Sequence, residues 1–412
     1  MRFLFIIFTV VLLMLSLSCT EFEGIVYPDF NSSEYLKDAT YINDSLFKNI
    51  DGLYKIESER VPFGTQAVIK TYQNHISIFC EANTFYVILK SGKIDNKVRN
   101  YGYYRKAVDL ISNEIYGEFD LIDLLNNSLD SNKTFSFSLD VTTNNSDKAS
   151  VKFTKIKSIN FSSDFKIIAH RGGGRNSDYL PYSENSIELM KFSPLLGANS
   201  IEIDVQSSKD RIPFIYHDSF FSTRLIDGEF LIGPTENFSL KQIKTFGKFK
   251  KGENIPTLEE ALDAVVKETE LEMVWVDCKS KLIVNETADL VKKYQKIADE
   301  MNRKIQICIG IPTEEVYEIF KKRADFNEIK SICELSFDKV LEIDSKAFGP
   351  SWTVGLLKKE SEELRKIGKY LYAWTLDEDS FIEKYLKSEL YDGFVTNYPS
   401  LVFYQYHTFG LK

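Results

Sequence analysis

The feature that most constrains the fold of this chain is an alternation of apolar, strand-like runs with helical patterns, which begins near residue 165. The runs that read as strands are Lys166–Ala169, Ser200–Val205, Ile212–Tyr216, Leu271–Val276, Lys304–Ile309, Ile329–Leu335, Lys369–Trp374 and Gly393–Thr396. Eight strands separated by helices predict a closed parallel (β/α)8 barrel of the TIM type over residues 161–412. One connection departs from this pattern, because Ser207–Arg211 is far too short to carry a crossover helix.

Helical patterns separate most of these runs, and they lie near residues 184–196, 258–268, 285–301, 313–323, 354–367 and 378–388. A longer excursion over residues 218–254 is predicted to be a small insertion into the barrel. Barrel enzymes place their catalytic groups where the strands end. The ends of the strand-like runs are therefore the places to look for chemistry.

Residues 46–160 follow a different rhythm. Short runs such as Ala67–Tyr72 and His75–Cys80 are rich in β-branched and aromatic residues, and polar turn residues separate them. This spacing predicts a mostly antiparallel β sandwich or small barrel. The preceding polar stretch, residues 20–45, is predicted to be a linker. No residue pattern in the β-rich region points to catalysis, so the role of this accessory domain stays open.

Residues 1–19 form a targeting segment. Arg2 precedes an apolar run that is shorter than the roughly 20 residues of a membrane-spanning helix. Leu15-Ser16-Leu17-Ser18-Cys19 resembles the lipobox of bacterial lipoproteins, a family in which the cysteine is lipidated. The resemblance implies an exported lipoprotein with a signal peptide, anchored to the membrane through Cys19 on the periplasmic or outer cell surface. An ordinary cleaved signal and an uncleaved anchor are the alternatives.

Composition narrows the functional classes. A hydrophobic content of 43% and a charged content of 27% are typical of a globular protein and not of a disordered chain. A net charge of −9 argues against a nucleic-acid partner, which requires a basic face. It leaves room for a small anionic substrate, because a local pocket can be positive on an acidic protein. The cysteines that follow Cys19 have no zinc-site spacing and are predicted to be buried free thiols.

Titratable residues gather where the first strand-like runs end. The chain has only 4 histidines, and two of them, His170 and His217, close neighbouring runs. They are predicted to act as a general acid and a general base, without an indication of which is which. Glu202 and Asp204 are two positions apart, so both carboxylates point to one face of a strand. Converging carboxylates favour a hard divalent cation, Mg²⁺ or Ca²⁺, and Arg171 offers a bidentate fork to phosphate.

These residues belong to a longer ordered set. In chain order it comprises His170-Arg171-Gly172, Glu184-Asn185, Glu202-Ile203-Asp204, His217-Asp218, Pro256-Thr257-Leu258-Glu259-Glu260, Asp277-Cys278-Lys279, Trp374-Thr375 and Asp392-Gly393. The set resembles the glycerophosphodiester phosphodiesterases, a family of metal-dependent (β/α)-barrel enzymes, and the resemblance covers residues 165–403. It implies that Asp277 completes the metal site and that Lys279 binds the substrate phosphate.

The resemblance also concerns residues whose roles are less specific. In the family a glutamate at the position of Glu184 lies at the active site. Asn185 is either an active-site residue or a helix cap, and Trp374 is either an apolar wall of the barrel mouth or a packing residue. Two positions depart from the family pattern. Asp277 stands where the family usually has the longer glutamate, and Asn397 stands where members often have aspartate.

The resulting hypothesis is metal-dependent hydrolysis of glycerophosphodiesters to sn-glycerol 3-phosphate and an alcohol, with histidine acid–base catalysis. One alternative is a phospholipase that releases head groups from intact lipids, which an exposed apolar rim around the site would favour. Another is a catalytically inactive surface protein that uses the barrel to bind phosphodiesters or glycans. The expected partners are a small-molecule substrate and, through the lipid anchor, a membrane, but no nucleic acid.

Overall fold

The computed structural model describes residues 25–30, 33–58, 60–82, 84–129, 134–142, 148–228 and 230–409. The predicted targeting segment, with Cys19, lies outside the described residues. The strands are β1 (Gly52–Glu57), β2 (Gln66–Tyr72), β3 (His75–Cys80), β4 (Phe85–Ile94), β5 (Lys97–Lys106), β6 (Ser112–Asp120), β7 (Ser136–Thr142), β8 (Lys148–Lys157), β9 (Lys166–Ala169), β10 (Ser200–Ser207), β11 (Pro213–Ile215), β12 (Phe220–Phe221), β13 (Ile226–Asp227), β14 (Gly233–Pro234), β15 (Lys248–Phe249), β16 (Met273–Cys278), β17 (Gln306–Ile311), β18 (Ser331–Cys333), β19 (Ala347–Phe348), β20 (Tyr370–Ala373) and β21 (Gly393–Thr396).

The helices are α1 (Asp44–Phe47), α2 (Leu121–Leu129), α3 (Ile187–Phe192), α4 (Leu240–Phe246), α5 (Leu258–Glu268), α6 (Val284–Glu300), α7 (Glu314–Phe320), α8 (Phe337–Glu342), α9 (Lys358–Lys366), α10 (Asp379–Ser388) and α11 (Pro399–Thr408). The start of α5 follows from a capping box. Thr257 Oγ1 accepts the backbone N–H of Glu260 at 3.1 Å, and the Glu260 carboxylate accepts that of Thr257 at 2.8 Å. Within the described part of the chain, no helix has both the length and the apolar character needed to cross a bilayer.

Strands β1–β8 form a closed antiparallel barrel, in which each strand pairs with the next and β8 returns to β1. The alternating β-branched and aromatic residues turn one set of side chains inward, where Ile69, Phe137 and Phe153 are part of a separate apolar core. Closure pairs both edges that an open sheet would expose. Of the two architectures predicted for this region, sandwich or small barrel, the structure has the barrel.

The parallel barrel predicted for the C-terminal part of the chain is confirmed. Strands β9, β10, β16, β17, β18, β19, β20 and β21 pair in this order, and β21 returns to β9. The interior is filled by Ile168, Met273, Trp275, Cys308, Ile332, Ala347, Tyr372 and Val395. On β10, Ile201, Ile203 and Val205 face outward into the layer between strands and helices. The intervening residues Glu202 and Asp204 therefore point to the barrel axis.

One strand predicted for the parallel barrel is wrong. The run Ile212–Tyr216 contains β11, which pairs antiparallel with β10. The link 208–212 can close a hairpin but cannot carry the crossover that a parallel neighbour requires. The missing barrel strand is β19, which lies between the predicted strand Ile329–Leu335 and the predicted helix near 354–367, where no strand was predicted. Its two residues, Ala347 and Phe348, are too few to give a periodic signal.

The two barrels pack together through apolar surfaces. Outward-facing side chains of β2–β5, among them Phe79 and Tyr103, join the outer core of the parallel barrel. The ring of Phe79 lies 4.6 Å, centroid to centroid, from that of Phe403 on α11. Both rings are almost completely buried. The contact therefore couples the two barrels by the same apolar burial that stabilises each of them.

The described part of the predicted linker 20–45 also packs against the barrels. The hydroxyl of Tyr27 donates to the carbonyl of Tyr179 at 2.6 Å. Thr40 forms an antiparallel bridge with Lys93 on β4. This segment differs from a free tether because its aromatic and polar groups find partners on both barrels. The predicted free and buried state of the cysteines is confirmed for Cys80, Cys278, Cys308 and Cys333.

Candidate active site

Three carboxylates converge at the C-terminal end of the parallel barrel. Strands β10 and β16 are neighbours, and their register sets Asp204 opposite Asp277. One carboxylate oxygen from each of Glu202, Asp204 and Asp277 lies within 4.8 Å of the other two. All three residues are buried. The shorter side chain of Asp277 therefore reaches the cluster despite its departure from the usual glutamate.

Burial and mutual repulsion determine the charge of this cluster. Burial, followed by the charges of Asp204 and Asp277, raises the pKa of Glu202 well above its usual range. Burial acts in the same direction on Asp204, but the charge of Lys279 above all holds its pKa below the usual range. Among the described residues, Asp277 Oδ1 has no hydrogen-bond donor, and Asp204 Oδ1 has only the Lys279 ammonium beside it. A buried, oxygen-rich cluster of mutually repelling carboxylates with free lone pairs fits a hard divalent cation.

Lys279 lies against the same cluster. It is two residues after Asp277, so both side chains leave β16 on the barrel side. Its ammonium is 3.1 Å from Asp204 Oδ1 and contacts the Asp277 carboxylate. Burial acts to lower the pKa of Lys279, but the charges of Asp277 and Asp204 raise it above its usual value. The side chain is therefore cationic and 26% exposed, at the edge of the carboxylates.

His170 follows β9, and its tautomer is fixed by its neighbours. Its Nδ1 lies 2.8 Å from Asn397 Oδ1. Asn397 Nδ2 donates to Asp377 Oδ2 at 2.6 Å, which orients the amide and leaves only its oxygen for the histidine. Nδ1 of His170 therefore carries the proton, and Nε2 keeps its lone pair, 3.9 Å from Glu202 Oε2. Burial, aided by the charge of Arg171, lowers the pKa of His170 to about 3.

His217 follows β11 and has a different partner. Its Nδ1 lies 2.6 Å from Asp218 Oδ1, and Arg224 donates to the same oxygen at 2.7 Å. Burial acts to raise the pKa of Asp218, but the hydrogen bonds from His217 and Arg224 lower it overall. Both predicted catalytic histidines lie close enough to Asp204 to lower the pKa of its carboxyl. His217 thus has an anionic partner, whereas His170 has a neutral amide.

Arg171 is held over the site by two acids. Its backbone N–H donates to Glu202 Oε2 at 2.8 Å, and its guanidinium donates to Glu184 Oε1 at 2.7 Å. Glu184 is buried and also contacts Arg224 at 3.4 Å. Glu184 therefore orients arginines and is not part of the carboxylate cluster. Arg171 keeps guanidinium N–H groups for an anion, because Glu184 accepts from only one of its nitrogens.

Asn185 contacts the carboxylate cluster and does not cap α3. Its Nδ2 donates to Asp204 Oδ2 at 2.8 Å, and its Oδ1 accepts the backbone N–H of Asp204 at 3.2 Å. The cap of α3 is Ser186, whose Oγ accepts the N–H of Leu189 at 3.1 Å. The sequence left both roles open because asparagine and serine are both good caps.

Backbone conformation and close packing account for the glycines after Arg171. Gly172 has φ +80°, a conformation that side chains rarely adopt. A Cβ on Gly173 would lie 2.5 Å from the side chain of Leu189. The turn therefore packs directly on α3. Close packing on this helix explains the glycines without any appeal to a ligand.

Two further side chains line the barrel end. Trp374 follows β20, is half-buried against the interior core and donates from Nε1 to the carbonyl of Gly349 at 2.7 Å. These contacts favour its packing role. Glu334 follows β18 and was not selected from the sequence. Burial, followed by the charge of Asp277, raises its pKa well above the usual range. Its position directly after an apolar, strand-like run is the sequence signal that could have identified Glu334 as a residue of the barrel end.

The comparisons with known proteins concern the parallel barrel. Residues 170–401 match the model of the glycerophosphoryl diester phosphodiesterase family. A glycerophosphodiester phosphodiesterase of Caldanaerobacter subterraneus subsp. tengcongensis is 28% identical over 243 residues, which are 57% of this chain and 94% of the relative. A glycerophosphodiester phosphodiesterase structure from Agrobacterium tumefaciens has a TM-score of 0.47 at 19% identity, covering 58% of this chain and 99% of the other. An Oleispira antarctica phosphodiesterase in complex with the product sn-glycerol-3-phosphate has a TM-score of 0.46 at 20% identity, covering 57% and 94%.

Proposed function

The chain belongs to the glycerophosphoryl diester phosphodiesterase family, and from this premise we propose that it hydrolyses glycerophosphodiesters to sn-glycerol 3-phosphate and an alcohol. As a family member it is a phosphoric diester hydrolase. The observation that carries the proposal is the buried cluster of Glu202, Asp204 and Asp277, whose oxygens lie within 4.8 Å of one another. The cationic side chains of Lys279 and Arg171 beside the cluster suit a phosphodiester anion.

The cluster residues would hold one divalent cation, Mg²⁺ or Ca²⁺, because both prefer carboxylate oxygens. A bound divalent cation supplies charge neutralisation at the phosphate and activation of the nucleophile. Lys279 adds a point charge, and Arg171 adds a planar fork that Glu184 orients. These groups bind the phosphate and fix its orientation before the bond to the leaving alcohol is broken.

Within this proposal His170 is the general base and His217 is the general acid. Asn397 accepts a hydrogen bond from Nδ1–H of His170, so Nε2 can take the proton of an attacking water or of the neighbouring glycerol hydroxyl. With the glycerol hydroxyl as nucleophile the alcohol leaves first, and water then opens the cyclic phosphate to give sn-glycerol 3-phosphate. Asp218 accepts from Nδ1 of His217 and stabilises the imidazolium, whose Nε2–H can protonate the leaving alkoxide. The assignment rests on the hydrogen-bond partners of the two rings.

The test is turnover of glycerophosphocholine and glycerophosphoethanolamine by the full chain, before and after removal of divalent cations with a chelator. We expect metal-dependent release of sn-glycerol 3-phosphate, and loss of it in Asp277→Asn. Glu272→Gln is the matched control, because Glu272 is a carboxylate at the opposite end of β16, paired with Lys166. A folded chain that binds these diesters without turnover would contradict the proposal and support an inactive binding protein.

A second candidate function is head-group release from intact phospholipids, and exposed apolar side chains favour it. Phe230 and Ile232 are 72% and 80% exposed on the insertion 218–254, which directly follows His217. Exposed apolar side chains are typical of a surface that meets another apolar phase. Replacing both with serine is expected to lower turnover on phospholipid vesicles and to leave glycerophosphocholine turnover unchanged. A wild-type chain that cleaves only deacylated diesters would exclude this function.

We also propose that the chain is exported and membrane-anchored through Cys19, on the support of Leu15-Ser16-Leu17-Ser18-Cys19 alone. Expression of the full chain with a labelled fatty acid tests it. Label and membrane association are expected to disappear in Cys19→Ala and to persist in Cys80→Ala, which removes a buried thiol. Equal labelling of the two variants, or none in the wild type, would contradict the anchor.

A further inference from the structure

One buried cation of the antiparallel barrel contacts the loop that leads into the active site. Arg105 on β5 is only 1% exposed. Its guanidinium donates to the backbone carbonyl of Asp178 and, at 2.9 Å, to that of Tyr179. It also donates at 2.6 Å to the hydroxyl of Tyr27, which in turn donates to the Tyr179 carbonyl at 2.6 Å. Two donors from outside the parallel barrel thus converge on one turn of its loop.

This arrangement is unusual for a buried cation. The hydrogen-bond partners of Arg105 among the described residues are neutral groups. A buried guanidinium is costly unless its N–H groups are satisfied. The turn it contacts also needs support, since Tyr179 has φ 52° although it is not glycine. The two requirements are met together at both Nη atoms, which donate to the carbonyls of the strained turn, whereas Nε has no hydrogen-bond partner among the described residues.

The same turn carries the residues that orient Arg171. Asn176 donates its backbone N–H to Glu184 Oε2 at 2.8 Å, and its Oδ1 accepts the N–H of Glu184 at 2.9 Å. The other oxygen of Glu184 accepts from Arg171 at 2.7 Å. Asn185, the next residue, bonds Asp204 of the carboxylate cluster. Displacement of the turn would therefore move both the Arg171 guanidinium, which is proposed to bind the phosphate, and Asn185, which bonds the carboxylate cluster.

Other contacts hold the turn less directly. The Asp178 carboxylate accepts from Arg175 at 3.0 Å and from the hydroxyl of Tyr398 at 3.2 Å. These bonds lie within the parallel barrel and do not involve Arg105. Removal of Arg105 should consequently loosen the turn without unfolding it. A graded loss of position, and not a loss of structure, is the expected consequence.

We propose that Arg105 is a positioning residue for the active site, and that the antiparallel barrel acts through it to hold the loop 175–185. The contact would set the orientation of Arg171 through Asn176 and Glu184, and so the fit of the phosphate. The catalytic part of this inference rests on the proposed function. The structural part concerns the loop alone and can be tested without a substrate.

The experiment compares full-length Arg105→Gln with the wild type by hydrogen exchange of backbone amides and by steady-state kinetics. Exchange in residues 176–185 is expected to rise about tenfold, and kcat/KM to fall between about 10- and 100-fold with a raised KM, as misplacement of a positioning group predicts. Arg105→Lys should show a smaller rise in exchange and a smaller loss of kcat/KM, because an ammonium still reaches one carbonyl. The matched control is Arg99→Gln, on the same strand, where Arg99 pairs with Glu118 at 3.2 Å on the surface. That variant should leave both readouts unchanged.

Unchanged exchange in residues 176–185 would overturn the proposal. An arginine with a merely structural role would instead raise exchange across both barrels and leave KM unaltered, and that result would also overturn the proposal. If no variant hydrolyses any diester, the wild type included, the proposed function fails, while the exchange data still decide the role of Arg105. If Arg105→Gln does not fold, Tyr27→Phe removes the hydroxyl that links the guanidinium to Tyr179. A local rise in exchange in that variant supports the proposal, and its absence overturns it.

Discussion

The antiparallel and the parallel barrel both close with eight strands, yet they differ in what they bury. The antiparallel barrel has an apolar interior, and Arg105 is the buried charged side chain among its described residues. In the described part of the parallel barrel the buried charged groups are carboxylates, and they gather at one end. Arg105 is linked to this end of the parallel barrel through the loop that it contacts.

Strand direction explains the difference. In a parallel barrel every strand ends at the same mouth, so side chains from several strands can converge on one point. In an antiparallel barrel, successive strands end at opposite rims, and short turns join them. Glu202, Asp204 and Asp277 meet because β10 and β16 run in the same direction. The antiparallel barrel is therefore suited to support a site and poorly suited to assemble one from its strand ends.

Substitution of the histidines tests this difference between the two barrels most directly. His170→Ala and His217→Ala are each expected to lower kcat/KM by about 10²–10⁴-fold, as loss of a general base or acid does. A diester with a p-nitrophenolate leaving group should restore most of the activity of His217→Ala, because that leaving group needs no proton. It should not restore His170→Ala. Steady-state rates with both substrates measure the effect.

The control for this experiment lies in the other barrel. His75 is on β3, and burial lowers its pKa to about 4, so it is neutral and outside the parallel barrel. His75→Gln should leave turnover within about twofold of the wild type. Equal losses of turnover in His75→Gln and His170→Ala would mean that both losses come from a less stable fold and not from the removal of a catalytic group. If the better leaving group restores the activity of His170→Ala instead, His170 is the general acid and His217 is the general base.

A pair of buried polar residues separates activity from stability. Asp204→Asn keeps the side-chain shape but removes a charge of the cluster, and we expect a loss of about 10²–10³-fold in kcat/KM, as for other preorganised electrostatic groups. Asn100 in the antiparallel barrel is fully buried and accepts the Ser91 hydroxyl at 2.7 Å. Asn100→Ala should cost about 1–3 kcal/mol of stability with turnover intact. Thermal unfolding and kinetics on both variants test this, and a swap of the two outcomes would contradict it.

The sequence predicted the parallel barrel well because most of its strands lie in apolar runs between helices. It misplaced one strand, since Ile212–Tyr216 has the apolar character of a barrel strand, although the short link before it is the link of a hairpin. For the antiparallel barrel the alternation located strands but not their closure, because closure depends on the pairing of β1 with β8, far apart in the chain. Strand pairing is not encoded in local periodicity.

The site shows the same limit. Glu202 and Asp204 were predictable because their convergence follows from strand geometry alone. The bond from Asn185 to Asp204 depends on how a loop folds back on a strand, which local sequence does not specify. Arg105 was not predictable at all, since its partners in the loop are backbone carbonyls, which every residue has. Contacts to the main chain leave no signature in the amino-acid sequence.

The contact between the barrels predicts a smaller effect, on stability alone. Phe403 on α11 is 3% exposed and packs on Phe79 of β3. Phe403→Ala should cost about 3–5 kcal/mol, as is usual for a buried aromatic truncated to alanine. Because the contact joins the barrels, we expect calorimetry to show one unfolding transition in the wild type and two in Phe403→Ala. Phe409→Ala is the control, since Phe409 is 40% exposed at the end of the same helix. A single transition in Phe403→Ala would mean that other contacts couple the barrels.

The smallest expected effect is the pH dependence of metal stabilisation, which should be confined to the parallel barrel. The pKa of Glu202 is raised in the fold, above an unfolded value of about 4.3. Its contribution to stability is therefore complete below about pH 4.3 and is lost as the pH rises through the folded pKa. A divalent cation binds the ionised form and offsets this loss, so the stabilisation by Mg²⁺ or Ca²⁺ should grow with pH, to about 2.7 kcal/mol at a hundredfold excess over Kd.

Thermal unfolding with and without the cation, at about pH 5 and about pH 8, measures this growth. Glu202→Gln is neutral at every pH, so its stability should not decline through that window and its response to the cation should be smaller. If Phe403→Ala separates the two transitions, the cation should shift only the one that belongs to the parallel barrel, because the cluster lies entirely within it. A shift of both transitions, or an equal shift at the two pH values, would place the binding of the cation outside the three carboxylates.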